Sequence, residues 1–225
     1  MKVHTKETQS SLTPNMALSF LEEGNHRFVN NLKINRNLLQ QVNESRDGQW
    51  PFATILNCID SRISPELIFD QGVGDIFTIR IAGNIINEDI LGSMEFATKV
   101  SGSKLILVLG HNKCGAIKGA YDNVDMGNLT TLLSKIEKPI NDVERELGPR
   151  DTVDKETFLD AIARQNVLHS IQEILDKSPI LAQMLADGEI DIAGGMYSID
   201  TGLVEFFHLE QGDINDVTMT SSLSA

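Results

Sequence analysis

The stretch KLILVLG, residues 104 to 110, decides how the fold of this 225-residue chain is interpreted. Its central residues are all apolar, and a continuous apolar run of this length is typical of a strand that is covered on both faces. Three further runs resemble it: FATILN (52–57), DIFTIRI (75–81) and IDIAGGMYSI (190–199). We therefore predict four strands of a mostly parallel sheet.

Helical patterns lie between these runs, and the most convincing one is ETFLDAIARQNVLHSIQEIL (156–175). The final run, LVEFFHL (203–209), alternates between apolar and polar residues and follows a turn that ends at Gly202, which predicts an antiparallel edge strand. Alternating strands and helices predict an α/β fold with a mostly parallel central β-sheet, one antiparallel edge strand and helices on both faces.

The chain before Pro51 shows no strand pattern. Residues 1–13 are polar and are expected to be mobile, whereas apolar residues between Met16 and Leu32 recur at helical spacing. A second, weaker helix is predicted from Arg36 to Arg46. We predict a single domain that consists of a helical N-terminal arm (1–48) and an α/β core (49–225).

The formal net charge of −13 disfavours both nucleic-acid binding and adsorption to anionic membranes, because the protein and these partners repel each other. Two cysteines do not make a disulfide framework. The N-terminus, MKVHTKETQSSLTPN, has no apolar stretch of the kind that a signal peptide needs. A cytoplasmic location is therefore the default expectation.

The two cysteines follow different predicted strands, Cys58 the first and Cys114 the third, and His111 lies three residues before Cys114. Functional sites of open parallel sheets lie beyond the carboxyl ends of the strands. A Cys₂His set suits tetrahedral zinc and leaves one position open, as in catalytic sites. The alternative is that each cysteine is only a small core residue. Because both cysteines stand at strand ends, the metal site is favoured.

Asp60 and Arg62 follow Cys58 at alternate positions, so all three side chains can face one pocket. The Asp60 carboxylate can either ligate zinc or accept a hydrogen bond from a water on the metal. In the second role, Arg62 would hold it through a bidentate pair. A surface Asp–Arg turn is the alternative interpretation.

Four segments together resemble the β-class carbonic anhydrases: CIDSR (58–62), RIAGN (80–84), SMEFA (93–97) and GHNKCGA (110–116). The resemblance implies that Cys58, His111 and Cys114 bind zinc. It also implies a catalytic dyad of Asp60 and Arg62, with Asp60 as a conditional fourth ligand of the metal.

The resemblance further implies a substrate pocket that includes Gln49 and Phe77. Ala82 would extend the apolar wall of this pocket, and the backbone N–H of Gly115 would add a hydrogen-bond donor. The chain departs from the family pattern at two positions: Phe96 stands where many members have a tyrosine, and Ile55 stands where a bicarbonate-inhibited subgroup has a tryptophan. The second departure favours the open, non-allosteric type.

The activity that the resemblance implies is the reversible hydration of carbon dioxide to bicarbonate through zinc-bound hydroxide, with activity rising on the alkaline side. It also implies a homodimer or a dimer-based tetramer, in which the N-terminal arm wraps the partner and the pockets lie at the interface. Two alternatives stay open. One is a carbonyl sulfide or carbon disulfide hydrolase on the same scaffold, and the other is a non-catalytic zinc or redox sensor.

Overall fold

The computed structural model describes residues 3–207, and a five-stranded sheet with the strand order β2–β1–β3–β4–β5 forms its centre. The strands are β1 (Ala53–Asn57), β2 (Ile76–Arg80), β3 (Leu105–His111), β4 (Asp191–Tyr197) and β5 (Val204–Phe207). The pairs β1–β2, β1–β3 and β3–β4 are parallel, and only β4–β5 is antiparallel. The predicted fold class is confirmed. Residues 208 and 209 of the predicted last strand lie outside the described residues.

Helices surround this sheet on both faces. Those of the N-terminal region are α1 (Lys6–Ser10), α2 (Pro14–Val29) and α3 (Leu38–Ser45). Those among the first three strands are α4 (Pro65–Ile68), a 3₁₀ turn (Ala82–Asn84), and α5 (Glu88–Glu95), which continues as a π-helical turn (Phe96–Val100). Those between β3 and β4 are α6 (Gly115–Tyr121), α7 (Gly127–Leu133), a 3₁₀ turn (Ser134–Ile136), α8 (Glu137–Leu147), α9 (Lys155–Lys177) and α10 (Pro179–Ala186).

The long helix α9 lies unusually close to strands β3 and β4. A Cβ atom at Gly110 would lie 2.6 Å from a methyl carbon of Val167, and one at Gly194 would lie 3.0 Å from the other. Glycine therefore allows the close approach where the helix meets the strands. This close packing brings the polar residues of α9 to the end of the sheet where the strands finish.

The register of the two central strands explains why the two cysteine motifs meet. Asn57 of β1 pairs with Leu109 of β3, so both strands run in the same direction and finish at the same edge. All five residues of β1 and all seven of β3 are buried. Cys58 and His111 therefore emerge from the core next to each other.

The expectation that residues 1–13 are mobile is wrong for the part that the structure describes. Thr5 caps helix α1 through a reciprocal hydrogen-bond pair with Thr8. The buried side chain of Gln9 donates hydrogen bonds to the carbonyl oxygens of Pro51 (2.7 Å) and Ser101 (2.8 Å). A buried amide that binds two distant carbonyls fixes the segment on the core, which composition alone did not reveal.

The arm that follows is fixed at a second point. The buried carboxylate of Asp70 accepts a hydrogen bond from Arg27 (2.6 Å) and forms an ion pair with Arg36. Helix α2 and the segment after it are therefore bound to the core. Within residues 3–207, no helix combines the length and the apolar character that a membrane crossing requires.

Candidate metal centre

Cys58, His111 and Cys114 form a compact cluster at the carboxyl edge of the sheet. Their ligand atoms all lie within 4.8 Å of one another, and the two sulfur atoms are 4.0 Å apart. All three residues are buried, with exposed fractions of 5% or less. The three residues that the sequence proposed as ligands are therefore brought together.

The ring of His111 is oriented as a metal ligand requires. Its Nδ1 lies 2.8 Å from the carbonyl oxygen of Asn112 and donates to it, because a carbonyl can only accept. The lone pair of His111 is then on Nε2, which is buried and has no hydrogen-bond partner among residues 3–207. A buried polar atom without a partner is costly, so this nitrogen is available for a cation held with the two sulfurs.

The two thiols affect each other strongly. A hydrogen bond from Cys114, opposed by burial, lowers the pKa of Cys58 to about 4. The same sulfur–sulfur contact, together with burial, raises the pKa of the Cys114 thiol. The pair therefore retains one thiolate at neutral pH, and a dication would stabilise the second. Two thiolates and one imidazole make a donor set that fits zinc.

The sulfur of Cys58 also accepts a hydrogen bond from the backbone of the turn after β2. The N–H of Gly83 lies 3.4 Å from it, and Gly83 has a φ of +70°, which favours glycine. The buried side chain of Asn166, on α9, donates to the carbonyl of Gly83 at 2.8 Å. Asn166 was not predicted as a functional residue, because it is one polar residue on a helix with no local signal in the sequence.

Asp60 and Arg62 form the bidentate pair that the sequence suggested. Nε of Arg62 lies 2.9 Å from Oδ1 of Asp60, and Nη2 lies 2.7 Å from Oδ2. The backbone N–H of Arg62 donates to Oδ1 as well (3.0 Å). Hydrogen bonds from Arg62, opposed by burial, lower the pKa of Asp60 to about 2. The carboxylate is therefore charged at neutral pH and directed by the arginine.

Arg80 holds the backbone that carries this pair. Its Nε donates to the carbonyl of Cys58 (3.2 Å), and its Nη2 donates to the carbonyl of Asp60 (2.8 Å). One guanidinium thus fixes the first ligand and the carboxylate relative to each other. The sequence contained this residue in the RIAGN segment but gave it no role.

The predicted pocket residues lie in two places. Gly115 directly follows Cys114 at the start of α6, and Ala82 begins the turn after β2, so both lie at the carboxyl edge. Phe77 pairs with Thr54 in the first half of the strands. Gln49 is exposed and precedes β1, so it lies at the opposite end of the strand from Cys58.

Phe77 contributes instead to a groove beside strand β2. The groove has a volume of about 780 Å³, and Phe96, which is 52% exposed, lines its other side. Among the strands of the described residues, β2 is at the edge of the sheet and pairs with β1 alone. We call this surface, formed by β2 and by the π-helical turn that contains Phe96, the edge groove.

The sequence matches a family of proteins described as "Carbonic anhydrase" over residues 53–204. A protein of Mycobacterium tuberculosis named "Carbonic anhydrase 2" is 34% identical over 198 residues, which covers 84% of this chain and 90% of the relative. The "Carbonic anhydrase" of Mycolicibacterium smegmatis is 33% identical and covers 91% and 98%.

Solved structures show the same relationship. The chain is 25% identical to a Coccomyxa β-carbonic anhydrase, solved in complex with acetazolamide, with a TM-score of 0.67 that covers 84% of this chain and 85% of the other. It is 26% identical to one of the tetrameric β-carbonic anhydrases from Sordaria macrospora, with a TM-score of 0.66 and coverage of 72% and 82%.

Proposed function

Because this chain belongs to the β-class carbonic anhydrase family, we propose that it catalyses the reversible hydration of carbon dioxide to bicarbonate and a proton. The observation that carries the proposal is the buried cluster of two cysteine sulfurs and Nε2 of His111, a nitrogen without a hydrogen-bond partner in the described part of the chain. Asp60, which follows the ligand Cys58 by two residues, adds a charged carboxylate that Arg62 holds in place.

We propose that Cys58, His111 and Cys114 hold a zinc ion through two sulfurs and Nε2. When bound, zinc lowers the pKa of a coordinated water and so supplies a hydroxide nucleophile at moderate pH. Two thiolates transfer more charge to the metal than imidazoles do, so the water is less acidic than in a His₃ site. Activity should therefore rise on the alkaline side.

Asp60 would act on the reacting water and Arg62 on Asp60. The ionised carboxylate can accept the O–H of the water in a hydrogen bond and thereby point an oxygen lone pair at the carbon of carbon dioxide. Arg62 would keep Asp60 in this position, since its Nε and Nη2 each donate a hydrogen bond to one of the two carboxylate oxygens. While it is paired in this way, Asp60 is not free to act as a fourth metal ligand.

This arrangement supports the open, non-allosteric type of enzyme. Ile55, at the position of the subgroup's tryptophan, is completely buried in β1 and offers no polar group to an anion. We propose that bicarbonate acts on this enzyme as substrate and product, without a separate inhibitory site of that subgroup's kind.

We propose that Ala82 and the backbone N–H of Gly115 form the part of the substrate pocket that one chain supplies. Gln49 and Phe77 lie away from Cys58 within a chain, so they can line a pocket only across an interface between two copies. The edge of β2, which no other strand of residues 3–207 pairs with, and the edge groove support a homodimer, or a tetramer built from dimers, since the Sordaria macrospora proteins are named as tetrameric.

Hydrolysis of carbonyl sulfide or carbon disulfide is the second candidate function, since these linear molecules need the same nucleophile and a pocket of slightly different shape. A zinc or redox sensor is disfavoured, because metal storage does not need a carboxylate held by an arginine. The experiment is to measure carbon dioxide hydration by stopped flow and carbonyl sulfide hydrolysis on one zinc-loaded sample. Faster turnover of carbon dioxide is expected, whereas turnover of carbonyl sulfide alone would overturn the proposal.

A further inference from the structure

The turn Asn112–Lys113 joins two of the proposed ligands and uses both of its carbonyl groups at the site. The carbonyl of Asn112 accepts from Nδ1 of His111 at 2.8 Å. The carbonyl of Lys113 accepts from Nη2 of Arg62 at 3.4 Å. Rotation of this turn would therefore move the histidine ring and the arginine together.

The backbone of this turn is not in a relaxed conformation. Lys113 has a φ of +54°, a left-handed conformation that costs free energy for a residue with a side chain. Such a conformation persists where the surrounding contacts determine it. Helix α9 supplies one such contact, since Glu156 lies 4.0 Å from the ammonium of Lys113, and the others come from the end of β4 and its connection to β5.

The last residue of β4 and the connection after it contact the turn at four points. The N–H of Asn112 donates to the carbonyl of Tyr197 (3.3 Å), and the N–H of Ile199 donates to Oδ1 of Asn112 (2.8 Å). Asp200 makes the other two contacts: it accepts from Nδ2 of Asn112 (2.7 Å), and it forms an ion pair with the ammonium of Lys113. One carboxylate therefore binds both residues of the turn.

Stability alone does not account for this carboxylate. The side chain of Asp200 is 52% exposed, and exposed ion pairs contribute little to folding. Asp200 contacts Asn112 and Lys113, and the carbonyl groups of these two residues accept hydrogen bonds from His111 and Arg62. We propose that Asp200, acting through Asn112, is a positioning residue for the metal ligand His111 and for the Asp60–Arg62 pair. This inference rests on the proposed function and adds residues that touch neither substrate nor metal.

The consequence of losing Asp200 follows from these contacts. Without it, the side-chain amide of Asn112 and the ammonium of Lys113 lose their common acceptor, so the turn can relax. The carbonyl of Asn112 then no longer fixes Nδ1 of His111 as the protonated nitrogen. Loss of such outer contacts typically weakens metal affinity or activity about 10- to 100-fold, and we expect the lower end for Asp200, which acts through Asn112.

The test compares Asp200→Ala and Asp200→Asn with the control Glu189→Ala. Glu189 is a suitable control because it is also about half exposed, also pairs with a lysine, Lys99, and precedes β4 at the strand's other end. Three quantities are measured on each protein: zinc affinity by competition with a chromophoric chelator, the ring tautomer of His111 by ¹⁵N NMR on reduced metal-free protein, and carbon dioxide hydration.

We expect Asp200→Ala to weaken zinc affinity about tenfold and to mix the two ring tautomers, while Glu189→Ala leaves both unchanged. Asp200→Asn retains an oxygen acceptor for Asn112 and should recover most of the affinity. If Asp200→Ala does not fold, Asn112→Ala must give the same loss of affinity and of tautomer preference. A zinc affinity and a tautomer ratio both within twofold of the wild-type values would overturn the inference, and so would an equal loss of zinc affinity in Glu189→Ala.

The tautomer and affinity measurements separate this inference from the proposed function. If wild-type protein does not hydrate carbon dioxide but the Asp200 variants still change the tautomer and the affinity, the positioning role holds for the metal site and the proposed function fails. If wild-type protein is active and Asp200→Ala equals it in all three measurements, only the positioning role fails.

Discussion

At the residue scale, Asp60 is the group on which the proposed chemistry depends most. Asp60 is already ionised at neutral pH, because Arg62 holds the pKa of the carboxyl at about 2. Any rise of activity between pH 6.5 and 9 therefore reports a different group, which in our account is the reacting water.

The first prediction concerns this carboxylate. Replacing Asp60 with asparagine keeps its size but removes the negative charge that accepts the hydrogen bond from the reacting water, so carbon dioxide hydration should fall about 100-fold or more. Zinc content should stay at the wild-type level, because Asp60 is paired with Arg62 rather than committed to the metal. Stopped-flow assays and metal analysis of the same sample check both. Undiminished turnover in Asp60→Asn would contradict the role assigned to it.

The second prediction uses the low pKa of Asp60. A carboxyl whose pKa is lowered by folding stabilises the native state above its unfolded value near 3.8, and the contribution disappears as the pH falls through about 2. Arg62→Ala should return this pKa toward its ordinary value. The loss of unfolding free energy in Arg62→Ala should therefore be larger at pH 5 than at pH 2.5.

Urea unfolding at the two pH values measures this difference. Arg46→Ala is the control, since Arg46 also forms an ion pair with a neighbouring aspartate but lies on an exposed surface. A loss in Arg62→Ala that is the same at both pH values would show that the arginine does not act through the charge of Asp60.

At the scale of elements, the site depends on the contact between α9 and the carboxyl edge of the sheet. Asn166 donates to the carbonyl of Gly83, and the N–H of the same glycine donates to the sulfur of Cys58. A helix that follows the third strand thus supports a ligand that follows the first strand.

The third prediction tests this support. Asn166→Ala leaves the buried carbonyl of Gly83 without its donor, which should lower the free energy of unfolding by about 1–3 kcal/mol. It should also weaken zinc affinity, because the hydrogen bond to the sulfur loses its fixed donor. Urea unfolding and chelator competition measure the two effects, with exposed Asn43→Ala as control. Zinc affinity equal to that of the control would refute the link to Cys58.

The elements show which parts of the fold sequence patterns could reveal. The runs around Leu107 and Ile55 predicted the central strands because buried parallel strands are apolar throughout. Helix α1 was not found, since its burial depends on the amide of Gln9 reaching Pro51 and Ser101, which are distant in the chain. Contacts between distant polar residues have no periodic signature.

The same distinction applies to the site. The proximity of the two cysteine motifs could be predicted from the sequence, since both follow parallel strands of one sheet. Arg80, Asn166 and Asp200 were not assigned roles, because each binds a segment far from it in sequence: Arg80 and Asn166 bind backbone carbonyls, and Asp200 binds the side chains of Asn112 and Lys113. Single polar residues of this kind are identified only when the contacts are known.

At the scale of the whole molecule, the edge groove is the surface where we propose that copies of the chain associate. Within the part of the chain that the structure describes, no strand pairs with the outer edge of β2, and Phe77 and the half-exposed Phe96 lie beside this edge. An unprotected strand edge next to apolar side chains is a favourable surface for pairing with another chain.

The fourth prediction follows from this surface. Phe96→Asp places a charge in the groove and should shift the protein from dimers or larger assemblies toward monomers, with activity falling in parallel as Gln49 and Phe77 of the partner are lost. Analytical ultracentrifugation gives the mass. Leu147→Asp is the control, since Leu147 is a partly exposed apolar residue at the end of α8. A fully active monomer would contradict the shared pocket.

The most direct test of the central claim combines zinc stoichiometry with carbon dioxide hydration from pH 6.5 to 9 on wild-type protein and on His111→Ala. We expect one zinc per chain and activity that rises with pH in the wild type, with metal and activity lost together in the variant. Wild-type protein that hydrates carbon dioxide equally well after zinc has been removed, or that binds no zinc at all, would contradict it.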